Sequence, residues 1–408
     1  MSESLSICVP GGITSIDFGM VYLFVGTGQA GSAIVDTIFE YRRLRMIASP
    51  LVFNSTIRDL ENLSNVSPEN WFGISDDVGI VPGTQPGFEE RVTGGFGRNP
   101  RRADEVMSDT QGELVPMLRE RFGDDGTVPF AFVFLGLGGG TGCGIAPHIA
   151  EAIRVYASGD VKIIAVGVLP NTEGPIGTED DEVSAGRQAR NTTYGLDRLE
   201  ETVDGIVLVD NQRLAYEDAA EGRFAEYNEY VADAFIDLVS GPVLEGIDPG
   251  DYDDVDAPIV DLQDVVTSIS FGDGSRTRPG YASIGRSVSM TKSLPGYLVP
   301  FIGNKQVDGA TLSRLATRKQ TLSEVDVADA RKAIGLIRAP PRYISNETYR
   351  IDVSVVRRYL QDHCSEVNLG MTLTERNLAS CTTLFTFERE DVARLAEIET
   401  HADAYAEP

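Results

Sequence analysis

Short apolar runs and amphipathic stretches alternate along the chain. Residues 20–25, 50–53, 133–135, 161–169 and 205–209 are near-continuous apolar segments, the pattern of strands buried on both faces. Between them apolar residues recur at helical spacing, as in Ala33, Ile34, Val35, Ile38 and Phe39, or in Ile145, Ile149 and Ile153. Another helix is expected over 101–117, and one that ends at Leu199 after a loop over 170–183. This alternation predicts right-handed crossovers and an α/β fold, a mostly parallel sheet with helices on both faces. A longer periodic stretch, Phe224, Tyr227, Val231, Phe235, Leu238 and Val239, predicts a buried central helix over 223–240. Strands expected at 350–355 and 383–387, alternating with helices, predict a second, smaller α+β domain over 281–395. The remaining breaks in the pattern leave an extension over 1–19, a first domain over 20–222, a linker over 241–280 and an acidic tail over 396–408.

Glycines gather where the strands end. The first strand runs into Gly26-Thr27-Gly28-Gln29-Ala30-Gly31, and the third into Gly138-Gly139-Gly140-Thr141-Gly142-Cys143-Gly144. A third cluster, Gly94-Gly95-Phe96-Gly97, opens the helix at 101. A strand, a glycine-rich turn and a helix start together present backbone N–H groups and a positive helix terminus to an anion. Thr141 adds a hydroxyl. In a parallel sheet such loops converge at the carboxyl ends of the strands, where α/β folds bind ligands. Phosphate binding is therefore the expected chemistry. Gly26, Gly28 and Gly31 also fit the dinucleotide pattern, but the second strand closes on Asn54-Ser55-Thr56 without the acid that would hold a ribose. No Gly-Lys-Ser/Thr is present, so a Walker-type lysine is not part of the picture.

Composition narrows the partners. With 62 acidic against 35 basic residues among 408, a net charge of −27 repels nucleic acid and anionic membranes. Lysine occurs only at 162, 292, 305, 319 and 332, and an acid-rich, lysine-poor surface is the composition of proteins from salt-loving archaea. Cys8, Cys143, Cys364 and Cys381 have no paired spacing, and His148, His363 and His401 are too scattered for a metal cluster. No apolar run is long enough to span a bilayer and the first residues lack a signal-peptide pattern, so a cytoplasmic location is expected.

Taken in order, these motifs resemble the tubulin/FtsZ GTPase superfamily, and within it the archaeal CetZ group. The run Gly138 to Gly144 is similar to the tubulin signature, with Cys143 where Ser or Thr is usual. Gly28, Gln29, Ala30 and Gly31 resemble the first phosphate loop in its Gln-Ala-Gly form, while Asn54 and Gly94, Gly95 and Gly97 fall where the second and third loops belong. Asn211 matches the residue that hydrogen-bonds guanine; Phe224 matches the aromatic that stacks on the base, and Asn228 the polar residue that reads its edge. Phe224 and Asn228, at i and i+4, share one helix face. Glu182 and Arg187, with Arg190, are the candidates for the ribose loop. The resemblance covers about 20–290 and implies a Rossmann-like GTPase domain that binds GTP or GDP. Mg²⁺ would be held mainly by phosphates and water, with no protein ligand expected.

It also implies a head-to-tail homopolymer, in which an acidic loop of one copy completes the nucleotide site of the next. Asp261 and Asp264 match the two acids of that loop, and carboxylates suit it because they orient and partly deprotonate an attacking water. Capping of the following helix is the structural alternative for Asp261. Ile259 and Asp256 replace the Asn and Gly of the family pattern. The implied role is a cytoskeletal GTPase that controls cell shape, working through its own copies and unidentified adaptor proteins. A nucleotide-binding scaffold with little hydrolysis, or an FtsZ-type division protein, stands as the alternative.

Overall fold

A computed structural model describes residues 22–124, 126, 128–172, 179–215, 220–239, 262–272, 277–292, 304–323, 325–345 and 348–405. The expected extension over 1–19 lies outside these, as do Asp256, Ile259, Asp261 and the side chain of Glu182.

Strands β1 (Tyr22–Thr27), β2 (Ala48–Asn54), β3 (Trp71–Ser75), β4 (Gly79–Pro82), β5 (Phe130–Gly136), β6 (Lys162–Leu169) and β7 (Gly205–Asp210) come first in the chain. After the two-residue ribbon of β8 (Ser270–Phe271) and β9 (Arg278–Pro279) come β10 (Tyr281–Met290), β11 (Lys332–Ala339), β12 (Glu366–Leu373) and β13 (Leu378–Phe387). Eleven of these form one sheet in the order β12-β11-β13-β10-β7-β6-β5-β1-β2-β3-β4. From β7 to β3 every neighbouring pair is parallel, as βαβ crossovers demand. The edge hairpin β3–β4 is antiparallel, and β13 runs antiparallel to both β10 and β11. The strands of the expected second domain extend this same sheet, because β10 pairs with β7 through Tyr281↔Ile206 and Ala282↔Val207.

Helices of eight residues or more are numbered in chain order: α1 (Gly28–Ile38), α2 (Pro100–Phe122), α3 (Thr141–Tyr156), α4 (Glu179–Glu200), α5 (Ala220–Val239), α6 (Leu262–Ile269), α7 (Gly309–Arg318), α8 (Val353–Gln361) and α9 (Ala393–Ala404). They cover both faces of the sheet. On one face Phe24, Phe132, Phe134 and Phe235 stack the central helix α5 onto β1 and β5; the Phe134 and Phe235 rings cross edge to face at 5.2 Å. On the other face α2 and α3 bury Met107, Leu114, Ile145, Ile149 and Ile153.

Two expectations change. Residues 350–355 do not form a strand: Asp352 accepts from Ser354 N at 2.9 Å and caps α8, which buries Val356 and Leu360 at helical spacing. The loop before α4 is shorter than expected, since that helix starts at Glu179.

The central helix is fastened to the far half of the sheet by one buried carboxylate. Asp237 accepts from Arg286 Nε on β10 at 2.7 Å and from Arg338 Nη1 on β11 at 2.9 Å. It also accepts from the hydroxyls of Ser380 and Thr382 on β13. Burial alone would raise the Asp237 pKa, but the two guanidiniums outweigh it and hold the carboxyl below its usual range.

Candidate functional site

A cleft of about 620 Å³ lies at the carboxyl ends of the parallel strands. It is lined by Thr27 to Ala30 after β1, Asn54 and Thr56 after β2, Gly136 and Gly138 to Gly142 after β5, Val168 to Pro170 after β6, and Asn211 after β7. The loop Gly95 to Arg98 closes one side. That volume falls in the range of small-molecule sites, roughly 300–1,000 Å³.

Two helices begin here. Neither Thr27, the N-cap of α1, nor Gly140, the N-cap of α3, makes a side-chain capping bond, so both helix starts offer N–H groups to the cleft. The glycines allow the loops to close upon each other. Gly28 sits at φ +67°, and a Cβ on Gly140 would lie 2.7 Å from Asn99 N. Gly31 serves differently: it lies behind the cleft, where a Cβ would overlap Phe134 O, so it lets α1 lie flush on β5.

Polar side chains then fix the loops. The Thr141 hydroxyl, first in α3, is 2.7 Å from Ser55 Oγ. Asn54 donates to Asp59 at 3.3 Å while its own Oδ1 accepts from Thr56 N. Burial lifts the Asp59 carboxyl above its ordinary range, against the opposing pull of the Asn54 amide and Arg58. On α4, Gln188 lines the cleft, and Asn191 donates to Arg98 O at 2.9 Å and Gly138 O at 3.2 Å, clamping two loops together. Arg98 is held at φ +60°, a left-handed backbone that a side-chain-bearing residue keeps only where its surroundings enforce it. The floor is braced from a distance. Arg394 on α9 reaches Asp210 at 3.3 Å and donates to Pro170 O at 2.7 Å.

Of the residues singled out in the sequence, Gly28, Gln29, Ala30, Asn54, Gly95, Gly97, Gly138, Gly139, Gly140, Thr141, Gly142 and Asn211 come together in this cleft. Gly94 is exposed and lies outside the lining. Cys143 points away from it: the thiol donates to Leu137 O at 2.6 Å, and burial pushes its pKa far up, so it fills space as a neutral group. Arg187 lines a neighbouring pocket and not the cleft. Phe224 is half exposed, and neither it nor Asn228 lines the cleft in this arrangement. Thr27, Ser55 and Thr56 were open to the same strand-end logic that found the glycines. Gln188, Asn191 and Arg394 carry no local signal, because only packing brings α4 and α9 here.

Residues 88–217 match the model of the Tubulin/FtsZ family, GTPase domain. The tubulin-like protein CetZ of Pyrococcus horikoshii is 29% identical over 196 residues, which are 48% of this chain and 46% of that protein. CetZ1 of Haloferax volcanii is 24% identical over 348 residues, 80% of this chain and 78% of its own length. The solved structure of CetZ2 from Haloferax volcanii, a GTPγS-bound protofilament, superposes with a TM-score of 0.64 at 20% identity, covering 94% of this chain and 100% of that one. The sheet order, the central helix and the glycine loops at the carboxyl edge define an α/β protein of tubulin/FtsZ architecture. Residues 88–217 thus resemble the GTPase domain of the tubulin/FtsZ family, and CetZ proteins are among the relatives of the chain. Among the described residues, no helix is long and apolar enough to cross a membrane.

Proposed function

We propose that the chain binds GTP and GDP in the cleft and hydrolyses GTP in a head-to-tail homopolymer. The observation that carries the second half is the position of α6. Lys332, the first residue of β11, donates to Thr267 O at 2.9 Å, and Ile269 packs on Gly205, the first residue of β7. Asp210 and Asn211, at the other end of β7, border the cleft. A six-residue strand spans roughly 20 Å. Asp264 in the first turn of α6 therefore stands a strand's length from its own cleft and serves the cleft of another copy.

In this reading the glycine-loop N–H groups and the two helix starts take the phosphate charge, and Thr141 donates its hydroxyl. Asn211 takes the guanine, and Phe224 and Asn228 join it when α5 shifts toward the cleft. Mg²⁺ carried on the nucleotide would neutralise charge on the phosphates. The Thr141 hydroxyl, positioned by Ser55, and the Asp59 carboxyl line the cleft and would suit it as hard oxygen groups beside the phosphates. Asp261 and Asp264 from the next copy orient the attacking water and accept its proton. The filaments so formed act on cell shape. The protofilament among the solved relatives supports assembly of this kind.

The test is GTP turnover against protein concentration, with light scattering at high salt. A rise steeper than linear, with polymer present, is expected, and Asp264→Ala should keep nucleotide binding while turnover falls at least roughly tenfold. Turnover proportional to concentration without polymer overturns the reading. Ile259 and Asp256, where the family pattern has other residues, favour a second reading as a nucleotide-bound scaffold. Polymer that holds GTP without releasing phosphate is its signature.

A further inference from the structure

In the sheet order β7-β6-β5-β1, the glycine loops assigned to phosphate follow β5 and β1, and Asn211 follows β7. Strand β6 lies between them, and neighbouring strands stand roughly 4.8 Å apart. The sugar of a nucleotide joins base to phosphate, so in this cleft it falls over the end of β6, where Val168, Leu169 and Pro170 form the lining. The backbone oxygens there are already engaged. Val168 O accepts from Leu137 N, Leu169 O from Asn211 N and Pro170 O from Arg394. The polar group on this side comes from α4. Gln188 lines the cleft beside Pro170: a Cβ on Gly138 would lie 2.9 Å from Pro170 Cβ and 3.2 Å from Gln188 Oε1. The amide is oriented by its own helix. Gln188 Nε2 donates at 3.2 Å to the hydroxyl oxygen of Ser184, one turn earlier, which also accepts from Arg98 at 3.3 Å. With its nitrogen anchored in this way, the amide leaves its oxygen beside a glycine of the cleft, as an acceptor.

We propose that Gln188 sets the choice of sugar: its amide oxygen accepts a hydrogen bond from a ribose hydroxyl, and a deoxyribonucleotide that lacks the hydroxyl binds less well. This inference rests on the nucleotide reading of the cleft and adds the group that reads the sugar. Of the charged candidates from the sequence, Arg187 and Arg190 line the neighbouring pocket, together with Arg98 and Arg101, and of these four only Arg98 also borders the cleft. A deoxy ligand would cover the amide oxygen without pairing it, and an acceptor stripped of water and left unpaired carries the discrimination. The contact is between neutral groups, so salt does not screen it as it screens a charged one.

The experiment compares GDP, 2′-deoxy-GDP and 3′-deoxy-GDP by calorimetry on the full chain. The parent should bind at least one of the deoxy nucleotides roughly fivefold or more weakly than GDP. Gln188→Met keeps the length of the side chain and removes the acceptor. In that variant GDP affinity should fall by the same factor, while affinity for the discriminated deoxy nucleotide stays within about twofold of the parent's, which also shows that the cleft is folded. Gln188→Glu, which retains an acceptor, should retain the discrimination. Arg187→Ala should leave it within about twofold, as should a rise in KCl from roughly 0.2 M to roughly 2 M. A parent that binds all three nucleotides alike overturns the proposal. So does an equal loss of all three in Gln188→Met, which would make the residue a packing element. Discrimination lost in Arg187→Ala or at high salt also overturns it and moves the contact to a charged group. A parent that binds none of the three overturns the nucleotide reading together with this one.

Discussion

Arg394, on the last helix, lies 3.3 Å from Asp210, the residue that ends β7 and precedes Asn211. Both side chains are almost completely buried, and the guanidinium also donates to Pro170 O and to Thr172 Oγ1, each at 2.7 Å. One arginine thus ties the C-terminal helix to two loops of the cleft floor. Arg394→Ala would leave Asp210 buried beside one guanidinium fewer. A loss of about 3–5 kcal/mol is expected in denaturant unfolding, with weaker GDP binding by calorimetry. Full retention of both would show the floor to be held by other contacts.

Ser55 and Thr141 hold the second loop against the start of α3 at 2.7 Å. Thr141→Val removes the hydroxyl that faces the cleft, and a loss of roughly tenfold in GTP affinity is expected. Ser55→Ala removes only the partner that positions it and should cost about two- to threefold. Equal losses in the two variants would place Ser55 itself against the ligand.

Glycines that look alike in the sequence should behave differently. At Gly31 a Cβ would overlap the Phe134 carbonyl, so Gly31→Ala has to push α1 off β5 and should prevent folding or lower stability by several kcal/mol, roughly 3 or more. At Gly94 nothing lies within 4 Å of the added Cβ, so Gly94→Ala should be neutral to about 0.5 kcal/mol. Thermal melts of the two proteins, side by side, decide this.

Asp237 gives a pH signature. Its folded carboxyl titrates below the usual range because Arg286 and Arg338 outweigh the effect of burial. The stability it contributes is therefore complete above the ordinary carboxylate range and is lost as pH falls through it toward the lower folded value. Asp237→Asn should be destabilised by about 3–5 kcal/mol at pH 7 and should lose less stability than the parent between pH 6 and pH 3. Parallel curves for the two proteins would show that the network does not govern acid unfolding.

The periodicity of the chain was sufficient for the α/β sheet, the central helix and the loops that meet at its carboxyl edge. Those features are local: a buried strand must be continuously apolar, and a phosphate loop must be free of side chains, so each is written in consecutive residues. The same reading failed at 350–355, where Val353, Val355 and Val356 look like a strand until Asp352 caps them into α8. It also gave no sign that Gln188, Asn191 and Arg394 belong to the cleft, since residues far apart in the chain meet there only through packing. Arg187 is the clearest case. The sequence alone determined that a charged helix follows the cleft loops. The helical phase of α4 decided that Gln188 turns into the cleft while Arg187 turns into the arginine pocket beside it. Neighbouring residues on a helix point about 100° apart, and tertiary packing alone fixes which of them faces the ligand.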